Sequence, residues 1–248
     1  VRYMELRWGP HLHTAKGLTQ SQVIAAVARG ASSAAAEVGV QVRLIVTALR
    51  SHSVDENRAL AVAAVAAKDL GVVAFDLAGR EAAFPDPLTF KDAFDVARSG
   101  GLAITLHAGE WGGAAQVRRA LEVAPARIAH GAVAVDDAAL CDELIARGVV
   151  LDLCPSSNVQ AAIVPGYGDF PILALHRRGV RVSLNTDDLI VSDLTLSEEY
   201  LRVRRRLGAT VTELLALART GYEVAFLKEA ERRPLLAAFD AWVEERLS

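Results

Sequence analysis

The sequence predicts an α/β fold of the (β/α)8 TIM-barrel type, with the first strand missing from the chain. Three observations carry that expectation. Strand-like apolar runs alternate with helical stretches along the whole length, which points to a parallel α/β architecture. Chemistry-bearing residues gather at the C-terminal ends of several of those runs, where barrel enzymes place their active sites. No glycine-rich dinucleotide fingerprint follows an early strand, which argues against an open doubly wound sheet.

Strands are expected at 2–8, 42–48, 72–77, 102–107, 127–130, 149–154 and 182–186. Their β-branched cores lack polar alternation, as suits parallel strands covered on both faces. Helices between them announce their starts: Thr19-x-x-Gln22, Ser53-x-x-Glu56 and Thr210-x-x-Glu213 are capping-box patterns. Gly71, Gly100-Gly101, Gly148 and Gly179 precede strands, as left-handed helix caps do. Helices from about residue 195 to 247 close the chain, and residues 1–248 read as a single barrel domain. Seven strands rather than eight leave two raw sheet edges. The expectation is therefore that the chain begins partway into a longer protein.

The 248 residues match one barrel, with 52% hydrophobic and 23% charged residues. A net charge of −3, without a basic block, gives nucleic acid no footing. No apolar run is long enough to span a bilayer, and no signal peptide opens the chain. Cys141 and Cys154 form no C-x-x-C pair, so a soluble protein of a reducing, cytoplasmic compartment is expected.

The most informative residues are His107-Ala-Gly-Glu110, after the run 102–106. A strand-end imidazole can hold a metal, and a carboxylate three residues later can move protons for metal-assisted hydrolysis. The competing readings are a satisfied polar histidine and a helix N-terminal acid. His130, ahead of Gly131, ends another strand; it reads as a buried histidine or as an electrostatic and proton-transfer partner. Asp187-Asp188 follow the last strand; two adjacent carboxylates repel in an apolar pocket unless a cation takes one of them. The alternative there is an N-cap acid beside a solvated neighbour. Asp76-Leu-Ala-Gly79-Arg80-Glu81 and Cys154-Pro-Ser-Ser-Asn158 follow two further strands. The glycine of the first could present an amide to a ligand, and the second could line the pocket or form a turn. Trp111 is expected to pack at the pocket rim. His11 and His13 fall after Pro10, in a loop, and are weak metal candidates.

Six motifs occur in order: Tyr3-Met-Glu-Leu-Arg7 with Pro10, Asp76-Leu-Ala-Gly79, His107-Ala-Gly-Glu110, Arg127-Ile-Ala-His130-Gly131, Cys154-Pro-Ser-Ser-Asn158 and Ser183-Leu-Asn-Thr-Asp187-Asp188. The ordered set resembles the adenosine deaminase family of metal-dependent, amidohydrolase-type barrels. The resemblance implies one zinc ion per chain, with His107 and Asp187 as ligands. It makes Glu110 the acid that protonates purine N1 and accepts the water proton, and His130 the residue that orients and polarises the attacking oxygen. It places Asp188 at purine N7 and the amide of Gly79 at purine N3. The family draws two more ligands from a His-x-His upstream of the Tyr-x-Glu-x-Arg segment. Those two ligands are expected upstream of Val1, and the role does not transfer to His11 and His13. Leu189 stands where the family usually has proline. The implied reaction converts adenosine or 2′-deoxyadenosine to inosine or 2′-deoxyinosine plus ammonia, so the partner is a small purine nucleoside. Alternatives are 6-amino-6-deoxyfutalosine, free adenine, or a catalytically inactive barrel serving as a binding module. Oligomeric state is not legible.

Overall fold

A computed structural model describes residues 1–247. The chain divides into two compact units, one of residues 1–107 with 119–126 and one of residues 108–118 with those from 127 onward. In the first unit β1 (Tyr3–Trp8), α1 (Gln20–Val38), β2 (Gln41–Leu49), α2 (Val54–Ala66), β3 (Val72–Ala78), α3 (Lys91–Ser99) and β4 (Ala103–Ala108) alternate. After α4 (Ala114–Leu121), the second unit carries β5 (Arg127–His130), α5 (Ala138–Arg147), β6 (Val150–Leu153), α6 (Pro155–Gln160), α7 (Ile172–Arg178) and β7 (Val182–Leu184). The helices α8 (Leu196–Leu207), α9 (Val211–Glu223) and α10 (Glu229–Leu247) follow.

Within each unit the ladders are parallel. In the first unit β1 pairs with β2 in register from Tyr3 opposite Gln41 to Trp8 opposite Val46, β2 with β3, and β3 with β4. In the second, β5 pairs with β6 from Arg127 opposite Val150, and β6 with β7 from Leu151 opposite Val182. Parallel strands packed on both faces should be apolar throughout, and β5, β6 and β7 are buried at every residue. In the first unit the covering helices turn apolar residues inward: Val23, Ile24 and Ala28 from α1, Leu60, Ala61 and Ala64 from α2, and Ala93, Phe94 and Ala97 from α3. Phe94 meets Phe75 of β3 edge to face, with ring centroids 6.1 Å apart. Each such fully buried large side chain contributes about 1.5–3 kcal/mol.

The three capping boxes form as the sequence predicts, and Thr195 with Glu198 adds another at the start of α8. Gly148 and Gly179 adopt the left-handed cap. Gly100 does not: it stays right-handed at φ −75°, and Gly101 takes the left-handed turn at φ +81°. Three strands are shorter than expected, β1 by one residue because it begins at Tyr3 rather than at 2. Val149 is held by the carbonyl of Leu144 at the end of α5, and Cys154 already caps α6, so β6 loses a residue at each end. The last strand stops at Leu184 rather than at 186, since Asp187 turns the chain with φ +59°. Among the described residues no helix is long and apolar enough to cross a membrane.

Candidate active site

In the first unit the site residues grow from strand ends. Asp76, near the end of β3, is fully buried, and its carboxylate lies 3.1 Å from Nδ1 of His107, near the end of β4. Thr47 of β2 donates its hydroxyl to the same carboxylate at 3.0 Å, and Arg7 of β1 stands 3.9 Å away. Burial alone would raise the Asp76 carboxyl; the charges of His107 and Arg7, with hydrogen bonds from His107 and Thr47, override it and hold the group far below the usual carboxylate range. An ionised Asp76 accepts the Nδ1 proton of His107, which fixes the tautomer with the ring lone pair on Nε2.

Arg50, just beyond β2 and buried, supports the same region by donating to the carbonyls of Phe84 (3.0 Å) and His107 (3.1 Å). Its own amide donates to the carbonyl of Ala78 at 2.9 Å, which fixes the entry to the Gly79 turn. Gly79 has φ +115°, and a Cβ there would sit 3.5 Å from the Arg50 backbone nitrogen. Its amide thus sits on a turn that a larger residue would strain.

The second unit holds the other cluster. His130 ends β5 with φ +65° and is 1% exposed. Its Nε2 faces the carboxylates of Glu110, 3.7 Å away, and Asp187, 3.9 Å away. Its Nδ1 lies 2.9 Å from Oδ1 of Asn158. Ser157 donates its hydroxyl to Asp187 at 2.7 Å, and Ser156 donates both its amide (2.7 Å) and its hydroxyl (2.6 Å) to the buried carboxylate of Glu199 in α8. Three consecutive residues of α6 therefore brace a helix, a turn and the strand-end histidine. His130 and Asp187 both occupy left-handed backbone, a strain of about 1–3 kcal/mol each that such bracing can hold.

Among the expected site residues, Glu110, His130 and Asp187 come together in this cluster, and His107 and Gly79 take strand-end positions in the first unit. Asp188 is exposed, and its carboxylate accepts from the amide of Val191 at 3.2 Å, within its own loop. His11 stacks on His52 with centroids 4.2 Å apart, and its Nδ1 meets the Gln20 amide nitrogen at 3.2 Å. Trp111 is exposed. Sequence reasoning does not reveal that Asp76, Arg50, Ser157, Asn158 and Glu199 hold these groups in place. The Ser-Ser-Asn run after β6 is the visible signal for three of these contacts.

The donor chemistry suits a divalent ion of borderline softness. His107 presents an oriented Nε2, while His130, Cys154 and Asp187 offer ligand atoms all within 4.8 Å of one another. An imidazole, a carboxylate and a second carboxylate set beside an imidazole are the parts that metal-assisted hydrolysis needs.

Comparison with known proteins agrees with this chemistry. A profile of the adenosine deaminase family matches residues 1–242. The chain is 36% identical over 237 residues to an adenine deaminase of Rhizobium meliloti, spanning 95% of this chain and 73% of that one. It is 37% identical over 238 residues to an adenosine deaminase of Shewanella loihica, spanning 95% of this chain and 71% of that one. The crystal structure of adenine deaminase from Arthrobacter aurescens superposes with a TM-score of 0.90 at 27% identity, over 98% of this chain and 74% of that one. The fold is therefore the amidohydrolase-type (β/α) barrel, of which seven strands lie in the described residues. The chain belongs to the adenosine deaminase family, and it is a metal-dependent aminohydrolase that deaminates purines.

Proposed function

We propose that this enzyme hydrolytically deaminates an adenine nucleoside, adenosine or 2′-deoxyadenosine, to the 6-oxo nucleoside and ammonia. The observation that carries the reading is His130 with Nε2 set between the carboxylates of Glu110 and Asp187. That group can orient a nucleophile and exchange protons with it. His107 and Asp187 are proposed as ligands of one zinc ion, which when bound supplies Lewis-acid activation of water near neutral pH. Glu110 delivers a proton to purine N1 as oxygen adds to C6. Breaking the aromatic ring is the costly step, and protonating N1 disperses the charge that develops there. His130 holds the attacking oxygen on its line to C6. Asp188 shares a hydrogen with N7 and the Gly79 amide donates to N3, so both edges of the base are gripped. The C6–N bond then breaks, and ammonia leaves with a proton that passes through Glu110.

A second reading, free adenine as substrate, is favoured by the relative from Rhizobium meliloti, named adenine deaminase and 36% identical over 95% of this chain. Both readings are tested on zinc-replete protein from the complete gene, by following the purine ultraviolet spectrum and ammonia release with adenosine, 2′-deoxyadenosine, adenine and 6-amino-6-deoxyfutalosine. The expected result is fastest turnover of a nucleoside. Preference for adenine would replace the first reading with the second, and silence with all four would leave the binding-module alternative. In Glu110→Gln, zinc is retained while kcat falls by about 10²–10⁴; near-normal turnover would remove Glu110 from its assigned role.

A further inference from the structure

We infer that Asn158 is a positioning residue that accepts the Nδ1 proton of His130 and thereby fixes the tautomer and orientation of the imidazole, with Nε2 toward Glu110 and Asp187. The inference rests on the proposed role of His130 and adds the group that sets its tautomer. Asn158 is completely buried, and its Oδ1 lies 2.9 Å from Nδ1 of His130. The residue is held from both directions along the backbone. Its amide donates to the carbonyl of Cys154 at 3.0 Å, and its carbonyl accepts from Ile163 at 2.9 Å. The neighbouring residues leave it little freedom, since Ser157 is tied to Asp187 and Ser156 to Glu199.

One end of this amide has no partner among the described residues: Nδ2 is buried without a hydrogen bond. An unpaired buried N–H carries a desolvation cost that an apolar residue of the same shape would avoid. Asparagine at this position is therefore explained by what Oδ1 does rather than by packing. An amide oxygen can accept but never donate, so Nδ1 must carry a hydrogen whenever this contact is made. In the neutral ring the lone pair then lies on Nε2, on the side of Glu110 and Asp187. The arrangement has a counterpart in the first unit, where Asp76 takes the Nδ1 proton of His107. A charged partner serves the proposed ligand, and a neutral one serves the histidine proposed to handle protons. A neutral partner fixes the tautomer without adding a further negative charge beside two carboxylates.

The test uses protein from the complete gene, labelled with ¹⁵N-histidine and free of zinc, with His130 assigned by the signal lost in His130→Gln. The expected long-range ¹H–¹⁵N spectrum shows the proton on Nδ1; a His130 with Nδ1 unprotonated and Nε2 carrying the hydrogen overturns the inference. In the zinc-loaded enzyme, Asn158→Leu, nearly isosteric but without an acceptor, should lower kcat about 100-fold and leave KM within about threefold. Asn158→Asp, which keeps the acceptor oxygen, should recover activity to within about tenfold of the wild type. Wild-type kcat in Asn158→Leu, or an Asp variant no better than the Leu variant, overturns the inference. If Asn158→Leu does not fold, the wild-type tautomer and the Asp variant still decide. The tautomer is read without any substrate, so failure to deaminate purines and failure of this inference are separate results.

Discussion

Asp76 and Asn158 carry out the same task on two histidines by different means, and both effects come from single atoms. The Asp76 carboxylate, without solvent and facing His107, Arg7 and Thr47, stays ionised and strengthens the basicity of the imidazole it holds. Asp76→Asn keeps the shape and removes the charge. Zinc affinity in that variant should fall about 10–100-fold, measured by competition with a chelator, while the far-ultraviolet circular dichroism stays unchanged; undiminished affinity would show that His107 needs no such partner. The residues proposed to react stand out in the sequence, since His107, Glu110, His130 and Asp187 each follow an apolar run and belong to a recognisable local pattern. Their supports do not. The partners in the Asp76–His107, Ser157–Asp187 and Asn158–His130 contacts lie 31, 30 and 28 residues apart, so the pairing depends on strand register rather than on local pattern. For Asp188 the sequence did not reveal the local contact, in which one carboxylate oxygen accepts from the Val191 amide.

At the scale of elements, the turn after β4 shows how backbone conformation places a side chain. Gly109, between His107 and Glu110, has φ +74°, and a Cβ there would lie 2.7 Å from Cγ2 of Val117 and 2.8 Å from Cγ2 of Val133. The turn that brings Glu110 toward His130 is thus open only to glycine. Gly109→Ala should destabilise the protein by about 2–4 kcal/mol, combining left-handed strain with overpacking. A urea titration measures this, and a loss below about 0.5 kcal/mol would mean that the two valines give way at little cost. The elements were largely readable in advance because each signal is local. Thr19, Ser53 and Thr210 cap their helices by bonds to residues three positions on, and the apolar runs of β5 and β6 reflect burial on both faces. The errors fall at boundaries where a neighbouring element competes for the same residue. Val149 is claimed by the end of α5, Cys154 by the start of α6, and the left-handed turn by Gly101 rather than Gly100.

For the whole molecule, the ordered motifs mattered more than any single one, because they recur at the ends of successive parallel strands in the order that the family profile follows over residues 1–242. Alternation alone led only as far as a parallel α/β architecture; the gathering of polar residues at strand ends, without a glycine-rich fingerprint, distinguished the barrel. An ion that binds the native arrangement, and not the unfolded chain, stabilises the fold by mass action. The proposed ligand set draws on residues as distant in the chain as His107 and Asp187, and unfolding disperses them. At free zinc about a hundredfold above the dissociation constant, the linkage is about 2.7 kcal/mol, or a rise of about 5–10 °C in Tm for a protein of this size. Differential scanning calorimetry of the complete gene product, stripped with a chelator and then restored with zinc, should show that rise. Asp187→Asn should abolish most of it while leaving the Tm of the stripped protein within a few degrees, since the side chain is exposed and the amide oxygen of asparagine can still accept from Ser157. Equal zinc-dependent rises in variant and wild type would remove Asp187 from the ligand set and place the ion elsewhere.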